Sequence, residues 1–240
     1  MCTVSYIPQG KDSFVLTSNR DVNSARSPKN ITRLEQNGQV TLFPQDEEAG
    51  GTWIAISNTN KVVCLLNGAF ENHEYCPPYK QSRGLLVLDF FTFPDASVFF
   101  ERYDFEGIEP FTMVVFDEDN LFEFRWNGEV PYIRELDTSG FYLWSSATLY
   151  PKEIRERRQS WFQAWLNHRT DFGLEAIRHF HRTGGKGDSG NGFIMNRNNL
   201  VQTVSITHVV KKSNGIEMIY HDLLNDSVKS EQLEVQKVFP

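Results

Sequence analysis

Cysteine is the second residue of the chain, directly behind the initiator methionine, and it begins a stretch that alternates like a β-strand. Removal of Met1, which small second residues permit, would place a thiol and a free α-amino group on Cys2. An α-amine titrates near ~7.7–8.0 and can act as a base at neutral pH, while a thiol is a strong nucleophile. Cys2 is therefore predicted to be an N-terminal nucleophile. The alternative is that cysteine is only a small residue suited to a strand.

The sequence Ser18-Asn19-Arg20-Asp21 follows the second predicted strand. A hairpin would return this strand beside the first and bring Arg20 and Asp21 towards Cys2. An aspartate could hold the terminal ammonium of Cys2, and a nearby guanidinium favours a thiolate. These residues are predicted to belong to the site, although a strand-end turn would also explain them.

Two further motifs place polar or small residues at the ends of strands. Gly50-Gly51-Thr52-Trp53 precedes a strand, where glycine allows close approach of the backbone to a ligand. Asn67 ends the apolar strand that follows, and its amide could stabilise a developing oxyanion. Asn-Gly is also a common turn sequence, so both interpretations stay open.

Hydrophobic patterning predicts strands first, then helices, then strands, helices and strands again, which is typical of one α+β domain over residues 1–240. Residues 21–37 are polar and are predicted to form a loop, and the chain is predicted to end in a polar tail. Helices are predicted over residues 96–103, 151–167 and 174–180. Strands are predicted over residues 3–7, 13–18, 40–43, 53–57, 62–66, 111–116, 121–126, 142–144, 192–195, 201–209 and 216–220.

Composition limits the classes of partner. The net charge of −7 argues against nucleic acid, and the mixed-charge run from Lys152 to Arg158 is interpreted as a solvated helix face. No signal peptide or membrane-spanning apolar stretch is visible. The three cysteines are an odd number without metal-ligand spacing, which predicts free thiols in a reducing cytoplasm.

The order of these motifs resembles one family. Met-Cys-Thr, the Asn-Arg-Asp triplet, Arg26, Gly-Gly-Thr-Trp, the strand that ends in Asn67, and Ser82-Arg83-Gly84 before a helix occur as in the NRDE family, also called the Transport and Golgi organisation 2 family. The resemblance covers roughly the first 85 residues and is loose beyond them. The early part is also similar to the cysteine-type N-terminal nucleophile hydrolases, namely choloylglycine hydrolase and penicillin V acylase.

That resemblance implies a four-layer αββα sandwich. It further implies that Cys2 is the nucleophile, that Asp21 binds its ammonium with Arg20 nearby, and that Asn67 helps to form the oxyanion hole. The substrate is expected to contact Asn19, Gly51, Trp53 and Ser145.

The chain also departs from those hydrolases. Their second catalytic asparagine would fall in Trp144-Ser145-Ser146, where serine is a shorter substitute, and Arg197 is only a candidate for their late arginine. Val22 stands where the family usually has glutamate, and Ser18 stands where the hydrolases place their arginine.

Two functions remain open at this stage. One is hydrolysis of a C–N amide or acyl bond in an apolar small molecule, without a metal or cofactor. The other, implied by the family's roles in Golgi organisation, lipid metabolism and haem trafficking, is non-catalytic binding of a lipid, acyl or haem ligand. Cys76-Pro77 resembles short haem-ligating dipeptides. His179 and His181 lack a third metal ligand, and Cys64 is predicted to be buried.

Overall fold

The computed structural model describes residues 2–236, which form two antiparallel β-sheets, four α-helices and one short 3-10 helix (Ser24–Arg26). Along the chain, fourteen strands lie within these residues. They are β1 (Cys2–Pro8), β2 (Phe14–Val22), β3 (Ile31–Gln36), β4 (Gln39–Pro44), β5 (Ile54–Ser57), β6 (Val62–Asn67), β7 (Phe111–Asp117), β8 (Asn120–Trp126), β9 (Pro131–Leu136), β10 (Tyr142–Ser145), β11 (Asn196–Arg197), β12 (Val201–Lys212), β13 (Gly215–Asp222) and β14 (Ser227–Glu234).

The helices follow the strands in two pairs. They are α1 (Arg83–Phe90), α2 (Ala96–Arg102), α3 (Lys152–Asn167) and α4 (Leu174–Thr183). Ser82 caps α1 and Asp95 caps α2, each accepting a hydrogen bond from a backbone N–H of the first turn. None of the helices in residues 2–236 is long and apolar enough to cross a membrane.

The two sheets have different connectivity. Sheet A has the order β10-β1-β2-β12-β13-β14, with β11 paired to β12, so neither strand of the N-terminal hairpin lies at an edge. Sheet B runs in chain order from β3 to β9. Strand β1 therefore has neighbours on both sides, which fixes the position of its first residue, Cys2.

Three apolar clusters show how the layers stack. Val4 and Tyr6 of β1 and Leu66 of β6 belong to one buried apolar cluster between the two sheets. The outer face of sheet B packs against α1 and α2, and the outer face of sheet A packs against α3 and α4. The layers thus follow the order helices, sheet, sheet, helices. This confirms the predicted four-layer αββα sandwich.

Three local predictions were wrong. Residues 31–36, inside the predicted loop, form β3, and residues 227–234, inside the predicted polar tail, form β14. Both are edge strands whose side chains are mostly exposed, so their sequences lack the apolar alternation of a buried strand. Residues 192–195 do not form the predicted strand: residues 192–194 form bends, with the N–H of Gly192 bonded to the Asp188 carbonyl and that of Phe193 to the Gly184 carbonyl.

Two fully buried histidines on the helix side of sheet A predict acid sensitivity. Burial lowers the pKa of His181 well below its ordinary value and that of His208 to about 3. The unfolded chain takes up these protons near pH ~6.5, whereas the folded chain does not. The stabilisation by His208 is therefore present above pH ~6.5 and is lost as pH falls towards about 3, by roughly 1.4 kcal/mol per pH unit. His181, whose pKa is also lowered, acts in the same direction.

The His208→Gln variant isolates the contribution of one histidine. We expect the free energy of unfolding of the variant to fall less steeply between about pH 6.5 and about pH 4 than that of the wild type, by the slope of one proton. Urea unfolding at several pH values measures this slope. Identical slopes would contradict the assignment of His208 as a neutral buried group.

Candidate functional site

Cys2 and Arg20 lie opposite each other in the N-terminal hairpin of sheet A. Directly opposed residues of an antiparallel pair share one face, here the face towards sheet B. Cys2 is fully buried in the cluster between the sheets, which also contains Cys64. Burial, followed by the neighbouring Cys2, raises the pKa of the Cys64 thiol well above its ordinary value. Cys64 is thus buried, as its position in an apolar strand predicts.

The Arg20 guanidinium is held in one orientation. Its plane lies over the Trp53 ring, 4.0 Å from the ring centre, and its Nη2 donates to Asp46 Oδ2 at 2.5 Å. Arg26 donates to the same carboxylate oxygen at 2.7 Å. Burial lowers the pKa of Arg20, while Cys2 and Asp46 act in the opposite direction. The structure thus fixes a cation beside the predicted nucleophile.

Asp21 lies on the opposite face of β2. It follows Arg20, the partner of Cys2, so the antiparallel register places it beside the backbone nitrogen of Cys2. Its carboxylate is fully buried and accepts hydrogen bonds from Tyr150 Oη at 2.9 Å and Thr203 Oγ1 at 2.7 Å. Burial raises the pKa of Asp21, and the charge of Arg158 opposes that shift. Asp21 is suitably placed to receive an ammonium at the start of β1.

Arg158 is a site residue that the sequence interpretation missed. The mixed-charge run of α3 was expected to be solvated, but Arg158 is fully buried. Its Nε donates to Ser145 Oγ at 3.1 Å, its Nη1 to the Gly192 carbonyl at 3.0 Å, and its Nη2 to Thr3 Oγ1. Arg158 therefore joins the strand of Cys2 to the end of β10.

A sequence signal could have found this arginine. Ile154, Trp161 and Trp165 recur at helical spacing along one face of α3, and residue 158 lies on the same face at i+4 from Ile154. A charged residue on an apolar helix face is buried with partners or reaches past the core to solvent. Arg158 is buried with partners: its guanidinium carbon lies 4.1 Å from the centre of the Tyr150 ring.

Ser146 connects Cys2 to Asn67. Its backbone N–H donates to the Cys2 carbonyl at 3.0 Å, and its hydroxyl donates to the Asn67 carbonyl at 2.8 Å. The N–H of Ala147 donates to the same Asn67 carbonyl at 3.1 Å. These bonds involve only the backbone of Asn67. Its half-buried side chain lines a cavity next to the start of α1. The two sheets are thus tied together at the predicted site.

This cavity has a volume of about 440 Å³ and opens next to the start of α1. It is called the main cavity because residues predicted for the site line it, although other cavities reach about 550 to 590 Å³. Four residues predicted for the site line it: Arg20, Gly51, Trp53 and Asn67. Gly51 is required for packing, because a Cβ there would lie 2.3 Å from the backbone carbon of Gly84. Cys2 and Asp21 are fully buried and are not among the residues that line this cavity.

Two residues predicted to contact the substrate lie elsewhere. The Asn19 amide faces α4, where it donates to the carbonyls of His181 and Phe193 and bonds the His181 ring. The alternation of β2 places Asn19 on the face away from Arg20, which explains its structural environment. Ser145 accepts a hydrogen bond from Arg158 and lines a second cavity of about 340 Å³. Neither side chain reaches the main cavity.

The remaining candidates have other surroundings. Arg197 donates to the carbonyls of Gly190 and Leu149, so it holds a loop together instead of lining the main cavity. Cys76 is exposed, between two residues that line the rim of the cavity. Within residues 2–236, no group of three or more histidine, cysteine or acidic side chains could hold a metal ion.

Solved structures show the same fold at low sequence identity. A mutant of conjugated bile acid hydrolase from Clostridium perfringens superposes with a TM-score of 0.54 at 8% identity, covering 96% of this chain and 92% of the other. A second variant of that hydrolase gives 0.53 at 8%, covering 99% and 100%. These likenesses support the N-terminal nucleophile hydrolase type of sandwich. An N-acylethanolamine-hydrolyzing acid amidase orthologue from Caenorhabditis elegans gives 0.49 at 14%, covering 86% and 92%.

Sequence comparison adds the family. No curated protein sequence matches the chain. The family described as Transport and Golgi organisation 2 matches residues 1–183, which include Cys2, Arg20, Asp21, Asn67 and Arg158. That match covers more than half of the chain. The chain therefore belongs to the Transport and Golgi organisation 2 family.

Proposed function

We propose that this protein is an N-terminal-cysteine hydrolase that cleaves a C–N amide bond, or a related acyl bond, in a small apolar substrate. The observation that carries the proposal is the arrangement at the start of β1. Cys2 lies opposite Arg20, Asp21 lies beside the Cys2 nitrogen, and Ser146 ties the Cys2 carbonyl to Asn67.

The proposed reaction uses these groups in turn. After removal of Met1, the α-amine of Cys2 takes the thiol proton, and the sulfur attacks the substrate carbonyl carbon. The Asn67 amide donates to the resulting oxyanion, and the ammonium returns its proton to the leaving amine as the C–N bond breaks. Water then hydrolyses the thioester, which releases the acid and restores the thiol. Asp21 holds the ammonium, and Arg20 favours the thiolate.

A second candidate function is non-catalytic binding of an apolar, acyl or haem ligand in the same cavity. One observation favours it: the Ser146 hydroxyl already donates to the Asn67 carbonyl. The Ser146 hydroxyl is therefore poorly suited to replace the second catalytic asparagine of the hydrolases that the chain resembles. Without that replacement, the only side chain proposed to donate to the oxyanion is Asn67. The exposed Cys76 at the cavity rim is the thiol that a haem ligand would use.

A panel of amides, acyl-homoserine lactones and acyl-thioesters distinguishes the two functions. The hydrolase is expected to form an acyl adduct on Cys2, detected by peptide mass mapping, and to release product. The Cys2→Ser variant should lose adduct and turnover, and the Cys76→Ser variant should keep both. Tight ligand binding without adduct or product would reject hydrolysis and support the binding function.

Substitution of Asp21 by asparagine tests the ammonium contact. We expect Asp21→Asn to slow alkylation of Cys2 at pH 7 by at least about tenfold, because a neutral side chain no longer stabilises the ammonium that favours the thiolate. The measurement is the iodoacetamide rate in a Cys76→Ser background, which removes the exposed thiol. An unchanged rate in a folded Asp21→Asn variant would contradict the role of Asp21.

A further inference from the structure

The edge of sheet B at β9 is open and apolar. Within residues 2–236, β9 pairs only with β8, and five of its six residues are exposed. Exposed large apolar side chains gather here: Phe70, Val130, Tyr132 and Ile133. Phe70 belongs to this group because its ring centre lies 5.0 Å from that of Tyr132. An apolar patch along an open strand edge is typical of a surface that pairs with another strand.

The hairpin between β8 and β9 determines which main-chain groups of β9 are free. The N–H of Asn127 donates to the Val130 carbonyl, so these residues form a hydrogen-bonded pair at the start of the ladder. Hydrogen-bonded and non-hydrogen-bonded pairs alternate along antiparallel strands. Ile133 and Glu135 therefore direct their N–H and C=O groups away from β8, and Pro131 directs its carbonyl the same way.

The side chains of β9 lie on two faces of sheet B. Ile133 is opposite Phe124, a member of the apolar cluster beneath α1 and α2, so Ile133 lies on the helix face. Tyr132 and Arg134 lie on the other face, towards sheet A. A strand that pairs with β9 must therefore match an apolar side chain on one face and an aromatic and a cationic side chain on the other.

A second copy of β9 meets both requirements. In an antiparallel pair with its two-fold axis at Ile133, each Ile133 lies opposite the partner's Ile133, and each Tyr132 lies opposite the partner's Arg134. The first contact buries apolar surface, and the second is a cation–π pair. The N–H of Ile133 donates to the partner's Ile133 carbonyl, and that of Glu135 to the partner's Pro131 carbonyl, so the missing N–H of Pro131 removes neither bond.

Charge excludes the neighbouring register. A two-fold axis at Arg134 would place the two Arg134 guanidinium groups directly opposite each other, and like charges in opposed positions are destabilising. The other edge strands offer less apolar surface. Within the described part of the chain, β3 carries one exposed large apolar side chain, Leu34, and β14 carries one, Val228.

We propose that β9 pairs with β9 of a second copy of this chain, which makes sheet B continuous through a two-fold dimer. A strand of six residues supplies a small interface, so we expect a dissociation constant of about 1–100 µM. The dimer is independent of the proposed hydrolysis, because none of the residues that carry it belongs to the site of Cys2.

Sedimentation velocity over a range of about 1–200 µM protein measures the association. The wild type is expected to shift from monomer to dimer. Ile133→Lys should stay monomeric throughout, because it places two ammonium groups opposite each other. Leu34→Lys is the matched control and should dimerise like the wild type, since Leu34 is 43% exposed, against 53% for Ile133, and lies at the opposite edge of sheet B.

Three results would overturn the proposal. They are a wild type that is monomeric at every concentration, equal loss of the dimer in both variants, and loss of the dimer in Leu34→Lys alone. The last result would place the contact at β3.

Cross-linking tests the register. In a Cys76→Ser background, Ile133→Cys should form a disulfide-linked dimer with oxidised glutathione, which takes up the two electrons and two protons and leaves as two thiols. Cα atoms in a hydrogen-bonded pair lie about 5.5 Å apart, within the range of a disulfide. Glu135→Cys is the control, because its two copies would lie more than about 10 Å apart along the strands. Cross-linking of Glu135→Cys equal to that of Ile133→Cys would overturn the register.

Discussion

Asn67→Ala is expected to slow amide turnover by about 10²–10³-fold, the usual cost of losing one oxyanion donor. The effect should appear in kcat and leave KM nearly unchanged, because the amide acts on charge that develops only in the transition state. The fold should survive, since Ser146 and Ala147 bond to the backbone carbonyl of Asn67 and the side chain faces the cavity.

Asn72→Ala is the matched control for this prediction. Asn72 lies five residues further on in an exposed loop, where loss of the amide should leave turnover within about twofold. Steady-state kinetics on both variants, with unfolding curves to verify the fold, completes the comparison. A variant at position 67 with wild-type kcat would show that the oxyanion is stabilised elsewhere.

Arg158→Met is expected to lower the free energy of unfolding by about 3–5 kcal/mol, the cost of removing one partner from a buried polar network. The substitution leaves the carbonyl of Gly192 and the hydroxyls of Thr3 and Ser145 without their donor. It also removes the positive charge that opposes the rise in the pKa of Asp21. Urea unfolding measures the change.

Arg157→Met separates burial from loss of charge. Arg157 precedes Arg158 on the same helix, but its side chain is 46% exposed and its ion pairs are long, at 3.5 and 3.9 Å. Its substitution should change stability by no more than about 0.5 kcal/mol. If the two variants lose similar stability, Arg158 is not the buried anchor described above.

Local pattern in the sequence predicted most of the strands and helices, because buried strands and amphipathic helices carry a clear periodicity. The four-layer arrangement was implied by the family resemblance. Local pattern also predicted the hairpin that brings Arg20 opposite Cys2, since strand pairing follows from one short turn. Strands β3 and β14 escaped prediction because edge strands expose most of their side chains and need no apolar alternation.

The site was harder to predict where it depends on contacts that are distant in the sequence. The bonds of Arg158 to Thr3 and Gly192 span 155 and 34 residues, and no local pattern encodes such pairs. The role of a strand residue also depends on which face of the sheet its side chain lies on. Asn19 and Arg20 are adjacent in the sequence, yet alternation sends the first to α4 and the second to the cavity. Residue type alone could not separate their roles.

Intact-mass spectrometry of the purified protein tests the central claim most directly, because the mechanism requires a free amine on the residue that carries the thiol. The account predicts a mass lower than that of the full sequence by one methionine residue, with Cys2 as the first residue. A mass that retains Met1 would contradict it, since Cys2 would then have no α-amine to serve as its base.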